Sequence, residues 1–146
     1  MGAAHTGIFT SLTRSDQPVT LPVWFIAADR VVYFSTPASA KKVARVRNNG
    51  AASFLVESGQ QWSQLTAVHL SCRAVVIDDP ALVAWVDQEK EVKYRSFRTA
   101  HQEMTAGTRG YYESSRVAIR LDPIGKILSW DNARIDTSSS MPEPGT

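Results

Sequence analysis

The sequence predicts a mainly β domain, a split β-barrel of six to seven strands with two inserted helices, and three observations carry that expectation. Short runs of β-branched and aromatic residues recur along the chain, separated by turn residues. Only two stretches carry helical spacing, so the alternating strand and helix units of a layered α/β sheet are missing. At 146 residues, 43% apolar and 21% charged, the chain has the size and composition of one globular domain with one core.

Residues 7–13, 19–27 and 31–35 read as three successive strands, a meander turning at Ser15-Asp16-Gln17-Pro18 and at Asp29-Arg30. Val23-Trp24-Phe25-Ile26 and Val31-Val32-Tyr33-Phe34 have the side chains that a half-buried pleated surface favours. Pro22 has no N–H for a ladder, which predicts an edge or a bulge there. Thr36-Pro37-Ala38-Ser39 breaks the extended pattern, and Ser39 is expected to cap a helix that runs to about Asn48 and stops at Gly50. Ala40, Val43, Ala44 and Val46 would give that helix its apolar stripe.

Strands follow at 52–57 and 65–77. Asp79-Pro80 then opens a second helix, to about residue 94, on which Leu82, Val83, Val86 and Val92 recur at helical spacing. Residues 95–114 read as a loop with one helical turn. A last hairpin is expected from 116–121 and 126–130 around Asp122-Pro123-Ile124-Gly125. The barrel domain is therefore placed at 1–135, and the Ser, Pro and Gly-rich stretch 136–146 is expected to be a disordered tail.

No apolar run approaches the ~20 residues of a membrane-spanning helix. The start of the chain has no positively charged region followed by an apolar one, so a cytoplasmic protein is expected. Met1-Gly2-Ala3-Ala4-His5-Thr6 fits the short N-myristoylation pattern, which recurs often by chance. A lone Cys72 excludes an internal disulfide, and its apolar neighbours predict a buried, inert thiol. His5, His69 and His101 are far apart, with no Cys or carboxylate at ligand spacing, so no metal site is expected.

The informative segment is 36–47. Lys41, Lys42, Arg45 and Arg47 fall within seven residues, and no acid lies between Ser35 and Val56. The rest of the chain carries 12 basic and 14 acidic residues, so this helix accounts for the net charge of +2. Lys41 and Lys42 occupy the first turn, where the helix dipole disfavours cations by roughly 0.3–1 kcal/mol each. An anion docked there would resolve the conflict, held by backbone N–H groups, by the hydroxyls of Thr36 and Ser39 and by the two ammonium groups. Two other readings stay open. One is a solvated basic face. The other is nucleic-acid binding, which the acidic balance of the remaining chain and the lack of a longer basic stripe speak against.

Val31-Val-Tyr-Phe-Ser-Thr36 followed by Ser39-Ala-Lys-Lys-Val-Ala-Arg-Val-Arg-Asn-Asn-Gly-Ala-Ala-Ser-Phe-Leu-Val56 resembles the phosphate-binding strand, helix and next strand of the pyridoxamine-phosphate-oxidase-like split β-barrels. It is most similar to their flavin/deazaflavin oxidoreductase branch, as are Val19-Thr-Leu-Pro-Val-Trp-Phe25 and Lys126-Ile-Leu-Ser-Trp-Asp131. The second strand lacks the Arg-rich motif of the oxidases proper, and the Arg-Leu signature near their C-terminus is replaced by Ser-Trp-Asp-Asn-Ala-Arg. The resemblance therefore does not extend to vitamin B6 oxidation.

The resemblance implies that Thr36, Ser39, Lys41 and Lys42 hold a cofactor phosphate, with Arg45 as an extra contact, and that Val23, Trp24 and Phe25 run beside a tricyclic ring. It implies coenzyme F420, with FMN as the alternative, in a groove between the subunits of a homodimer, with Trp62 or Trp130 reaching in from the partner. The activity it implies is hydride transfer to a planar, apolar small-molecule acceptor. A protein that only binds a flavin, a deazaflavin or another apolar ligand is the rival. No catalytic side chain is singled out, since the chemistry is the cofactor's own.

Overall fold

The computed structural model describes residues 6–95 and 115–134. The expected tail at 136–146, nearly all of the expected loop at 95–114 and the Gly2 acylation pattern lie outside the described residues. Among the described residues there are eight strands: β1 (Gly7–Leu12), β2 (Pro18–Val23), β3 (Ile26–Ala28), β4 (Val31–Pro37), β5 (Ala51–Ser58), β6 (Thr66–Ile77), β7 (Arg116–Pro123) and β8 (Leu128–Asp131). Helix α1 (Lys41–Asn48) follows β4, and α2 (Pro80–Lys93) follows β6.

The strands form one antiparallel sheet in the order β2-β1-β5-β6-β7-β4-β3, with β8 pairing β6. The two ends of that path, β2 and β3, are separated in the chain by Trp24 and Phe25 alone. Three residue steps reach at most about 11 Å. The sheet must therefore curl until its edges nearly meet, with the covalent chain rather than a ladder bridging the gap. This is a split barrel with two helices, as the sequence predicts.

The interior is filled by the rings of Phe9, Phe25, Phe34 and Phe54 with Ile119 and Leu121. Phe9 meets Phe34 and Phe25 meets Phe54 edge to face, each pair with centroids 5.0 Å apart. Each such ring contributes roughly 1.5–3 kcal/mol by its burial. Val43 and Val46 lay α1 on this core, against β1 and β6. Helix α2 packs outside the barrel, where Val83 and Val86 join Ile26 and Ala118 in a second apolar cluster.

Five expectations are corrected. The predicted strand 19–27 splits in two, and β2 and β3 lie at opposite ends of the sheet instead of side by side in a meander. Pro22 is on an edge strand, which suits its missing N–H. The last hairpin is absent: β7 and β8 do not pair with each other but follow one another along the same edge of β6, β7 on Cys72 to Ile77 and β8 on Thr66 to His69. Ile124 stays on that edge by donating to Ser71 O (2.8 Å), so the Pro123-Ile124-Gly125 turn is an excursion and not a reversal.

Ser39 does not cap α1. A turn closed by Ala40 N donating to Pro37 O (3.0 Å) places Ser39 at its exposed tip, and Ala40 takes the cap position with no side-chain hydrogen bond. The helix stops at Asn49, whose backbone is extended (φ −151°, ψ 116°). Gly50 instead permits a close approach, since a Cβ there would lie 3.0 Å from Ala74 O. On the helices, Ala44 and Val92 face solvent, so the apolar stripes are narrower than expected. The Asp79-Pro80 start is as predicted: Asp79 Oδ1 accepts from Ala81 N (3.1 Å).

Candidate functional site

At the split, Trp24 and Phe25 leave the sheet, and the end of α2 holds them. Tyr94 Oη donates to Phe25 O and accepts from Phe25 N, both at 2.9 Å, standing in for the strand partner that Phe25 lacks. The Trp24 indole lies flat on the Tyr94 ring, with centroids 4.4 Å apart and planes within 1°. Burial pushes the Tyr94 phenol up to about 12, against the opposing pull of its bond to Phe25.

Beside this pair lies a cavity of about 180 Å³, whose lining includes Val23 and Trp24 together with Ser35, Lys42, Lys90 and Arg116. No acidic side chain lines it among the described residues. Lys42 Nζ donates a long hydrogen bond (3.4 Å) to Thr36 Oγ1. Burial, and then the charges of Arg45 and Arg116, hold the Lys42 ammonium below the ordinary lysine value. A second, larger concavity of about 580 Å³ is formed by β5, β6 and β8, with Glu57, Trp130, Asp131 and Arg134 in its lining. Two carboxylates against one guanidinium make it a poor anion site, so the smaller cavity is the candidate despite its size.

Of the residues expected at a site, Val23, Trp24 and Lys42 line one cavity. Thr36 is buried and touches Lys42 from behind. Arg45 lies close enough to repel Lys42, but its Nε is engaged by Ser11 Oγ (3.1 Å). Phe25 is fully buried and packs into the core. Ser39 and Lys41 are exposed and outside the cavity lining. Trp62 and Trp130 are about half exposed, so neither is core packing.

Three polar residues of the lining were not anticipated: Ser35, Lys90 and Arg116. One signal existed for Lys90, which stands four residues after Val86 and seven after Val83 and so occupies the buried face of α2. Arg116 reaches the cavity through the pairing of Pro37 with Arg116 in the β4–β7 ladder, a register that no local pattern encodes. Cys72 is buried as expected, and burial followed by the charge of Asp122 pushes its thiol up to about 12. Among the described residues no three His, Cys, Asp or Glu side chains are grouped to hold a metal, and no helix is long and apolar enough to cross a membrane.

The curled sheet with its two helices defines a split β-barrel protein, with a cation-lined cavity at its split. The chain belongs to the pyridoxamine 5'-phosphate oxidase family, whose sequence model matches residues 2–123. None of the curated proteins matches it. Among solved structures, a conserved hypothetical protein of Mycobacterium tuberculosis superposes with a TM-score of 0.73 at 21% identity, covering 90% of this chain and 79% of the other. An F420 reductase superposes at 0.61 with 16% identity, covering 86% and 90%. An FAD-binding protein of Mesorhizobium loti does so at 0.63 with 19% identity, covering 88% and 86%. Heme binders also share the fold, among them the heme storage protein HutZ of Vibrio cholerae, at 0.66 with 11% identity, covering 86% and 85%. At these identities the likeness establishes the fold.

Proposed function

We propose that the chain is a deazaflavin-dependent oxidoreductase of the coenzyme F420 type, which passes a hydride to a planar apolar acceptor. The observation that carries the reading is the meeting, in one cavity, of the Lys42 ammonium with the Val23 and Trp24 wall. Such a pairing suits a ligand with an anionic end and a flat apolar body. The donor set fits the cofactor. Lys42, positioned by Thr36 and backed by Arg45, would hold the phosphate, and Val23 and Trp24 would flank the ring and exclude water from it. Phe25 would support that wall from the core. Ser39 and Lys41, on the exposed rim, would add long-range attraction.

When bound, the reduced deazaflavin supplies the hydride, and the protein supplies orientation. The proton that completes acceptor reduction would come from water, since no side chain is assigned as a general acid. We further propose a cytoplasmic homodimer in which residues 1–135 form the cofactor-binding domain and Trp62 and Trp130, both exposed in the single chain, meet the partner.

The FAD-binding relative favours a second reading, an FMN-dependent oxidoreductase on the same fold. The heme binders favour a third, ligand binding without turnover. Titrating the purified protein with F420 and with FMN, following intrinsic Trp fluorescence, separates the first two. Tight F420 binding with no FMN binding supports the proposal, and the reverse overturns it in favour of FMN. Reduction of a quinone by the F420-loaded protein then separates an enzyme from a carrier.

A further inference from the structure

The deep wall of the cavity is a network centred on the Ser35 hydroxyl. Ser35 Oγ donates to Asp87 Oδ1 and accepts from Lys90 Nζ (3.0 Å) and from Arg116 Nη2 (2.9 Å). Arg116 Nε donates to Asp87 Oδ2 (3.3 Å), so the carboxylate fixes both the serine and the guanidinium. Lys90 is 6% exposed and the Arg116 side chain 10%. Long cationic side chains are rarely buried so far unless they are paired, as Arg116 is with Asp87 and Lys90 with Ser35. The fold builds the cluster from separate elements: β4 brings Ser35, β7 brings Arg116 through the Pro37 pairing, and α2, packed over both strands, brings Asp87 and Lys90 one turn apart.

The volume narrows what enters. About 180 Å³ is the room of roughly six waters at ~30 Å³ each. That room suits a tetrahedral oxyanion and the first atoms of its ester. Three cationic side chains and one hydroxyl line this space, Lys42 from α1, Lys90 from α2, Arg116 from β7 and Ser35 from β4.

We propose that Lys90 and Arg116, oriented by Asp87 and Ser35, form with Lys42 a phosphate subsite, which takes the phosphate end of the ligand while its ring stays outside, against Trp24. The inference rests on the reading that the ligand carries a phosphate, and it extends that reading to residues of β7 and α2. Asp87 is a positioning residue in it, acting through Arg116 and Ser35.

The test uses two probes on the intact chain. The first is inorganic phosphate, compared with chloride at equal ionic strength in thermal unfolding. Phosphate is expected to raise the Tm of the wild type, Arg116→Gln and Lys90→Met to lose the rise, Asp87→Asn to reduce it, and Arg116→Lys to keep part of it. The second compares ligands with and without phosphate, FMN against riboflavin and F420 against its phosphate-free deazaflavin. Arg116→Gln is expected to weaken the phosphate-bearing form by about tenfold, roughly 1.4 kcal/mol, and to leave the other unchanged.

Folded variants that keep the whole phosphate-induced rise overturn the subsite, as does an equal loss for both ligand forms. Should Arg116→Gln fail to fold, Arg116→Lys and Lys90→Met carry the same comparison. If phosphate stabilises through Arg116 while no deazaflavin or flavin binds, the subsite stands and the cofactor reading falls. If F420 binds through Lys42 and the Arg116 variants are indifferent, the subsite alone falls.

Discussion

The Lys93 ammonium stands 3.6 Å from the centroid of the Phe25 ring, and its Nζ donates to the carbonyl oxygen of the same residue (2.9 Å). One side chain thus clasps Phe25 by its backbone and its π face at the point where the barrel is split. A cation over an aromatic face contributes about 0.5–2 kcal/mol, more as water is excluded. The same exclusion of water works against the charge itself. Burial holds the Lys93 pKa down at about 8.

That lowered value gives a pH dependence whose sign is fixed. Between about pH 8 and the ordinary lysine value near 10.5, the unfolded chain holds a proton that the folded chain has released. Stability contributed through Lys93 therefore rises with pH across this window, and below it the desolvation cost is fully present. At pH 8 about half of Lys93 is neutral, against well under a hundredth of an ordinary lysine. Brief acetylation at pH 8 followed by peptide mass mapping is expected to label Lys93 ahead of Lys41 and Lys126. Equal labelling of the three would contradict the burial argument.

Tyr94→Phe removes the hydroxyl that serves both Phe25 N and Phe25 O while leaving the stacked ring on Trp24. Phe25 N then loses its partner, at about 1–3 kcal/mol where no water replaces it, while Phe25 O keeps the Lys93 ammonium. Urea unfolding is expected to give a midpoint lower by that order with an unchanged slope. An unchanged midpoint would mean that the split does not depend on α2.

Lys41 and Lys42 look equivalent in sequence and are expected to behave differently. Lys42→Ala should weaken binding of a phosphate-bearing deazaflavin by about tenfold, roughly 1.4 kcal/mol. Lys41→Ala, at an exposed position, should change it by no more than about twofold at physiological salt, since a distant exposed charge is screened. Because burial, and then the charges of Arg45 and Arg116, push the Lys42 pKa down, affinity is expected to fall with rising pH before an ordinary lysine would deprotonate. Fluorescence titration of the wild type and both variants across pH reads all three effects.

The fold was legible where local chemistry decides it: the β-branched runs became strands within a residue or two, and Asp79-Pro80 began α2 as a cap should. It was not legible at Trp24-Phe25, whose β propensity is high. Their departure from the sheet depends on Tyr94, sixty-nine residues further on. The same limit governs the site. Lys42 was readable because a cation in a first helical turn conflicts with the dipole. Arg116 was not, because only the β4–β7 register carries it to the cavity. Ser39 misled for a local reason, since a turn closing on Pro37 moved the helix start one residue on.

Gly7 tests how closely the barrel is packed where β1 crosses the core. A Cβ at Gly7 would lie 2.1 Å from Phe54 Cζ, and the ring has no room to retreat because it is fully buried and meets Phe25 edge to face at 5.0 Å. Gly7→Ala must shift β1 or Phe54, at about 1–3 kcal/mol or more for an overpacked core. Gly125 gives the contrast. Its φ of +67° strains any other residue by roughly 1–2 kcal/mol, but a Cβ there meets nothing within 4 Å. Both variants are expected to lower stability in urea, and only Gly7→Ala to disturb the environment of Trp24 through Phe54 and Phe25, read as a changed Trp fluorescence maximum of the folded protein. A Gly7→Ala variant as stable as the wild type would mean that β1 can move off Phe54 without cost, and that the ring pair does not brace the split from inside.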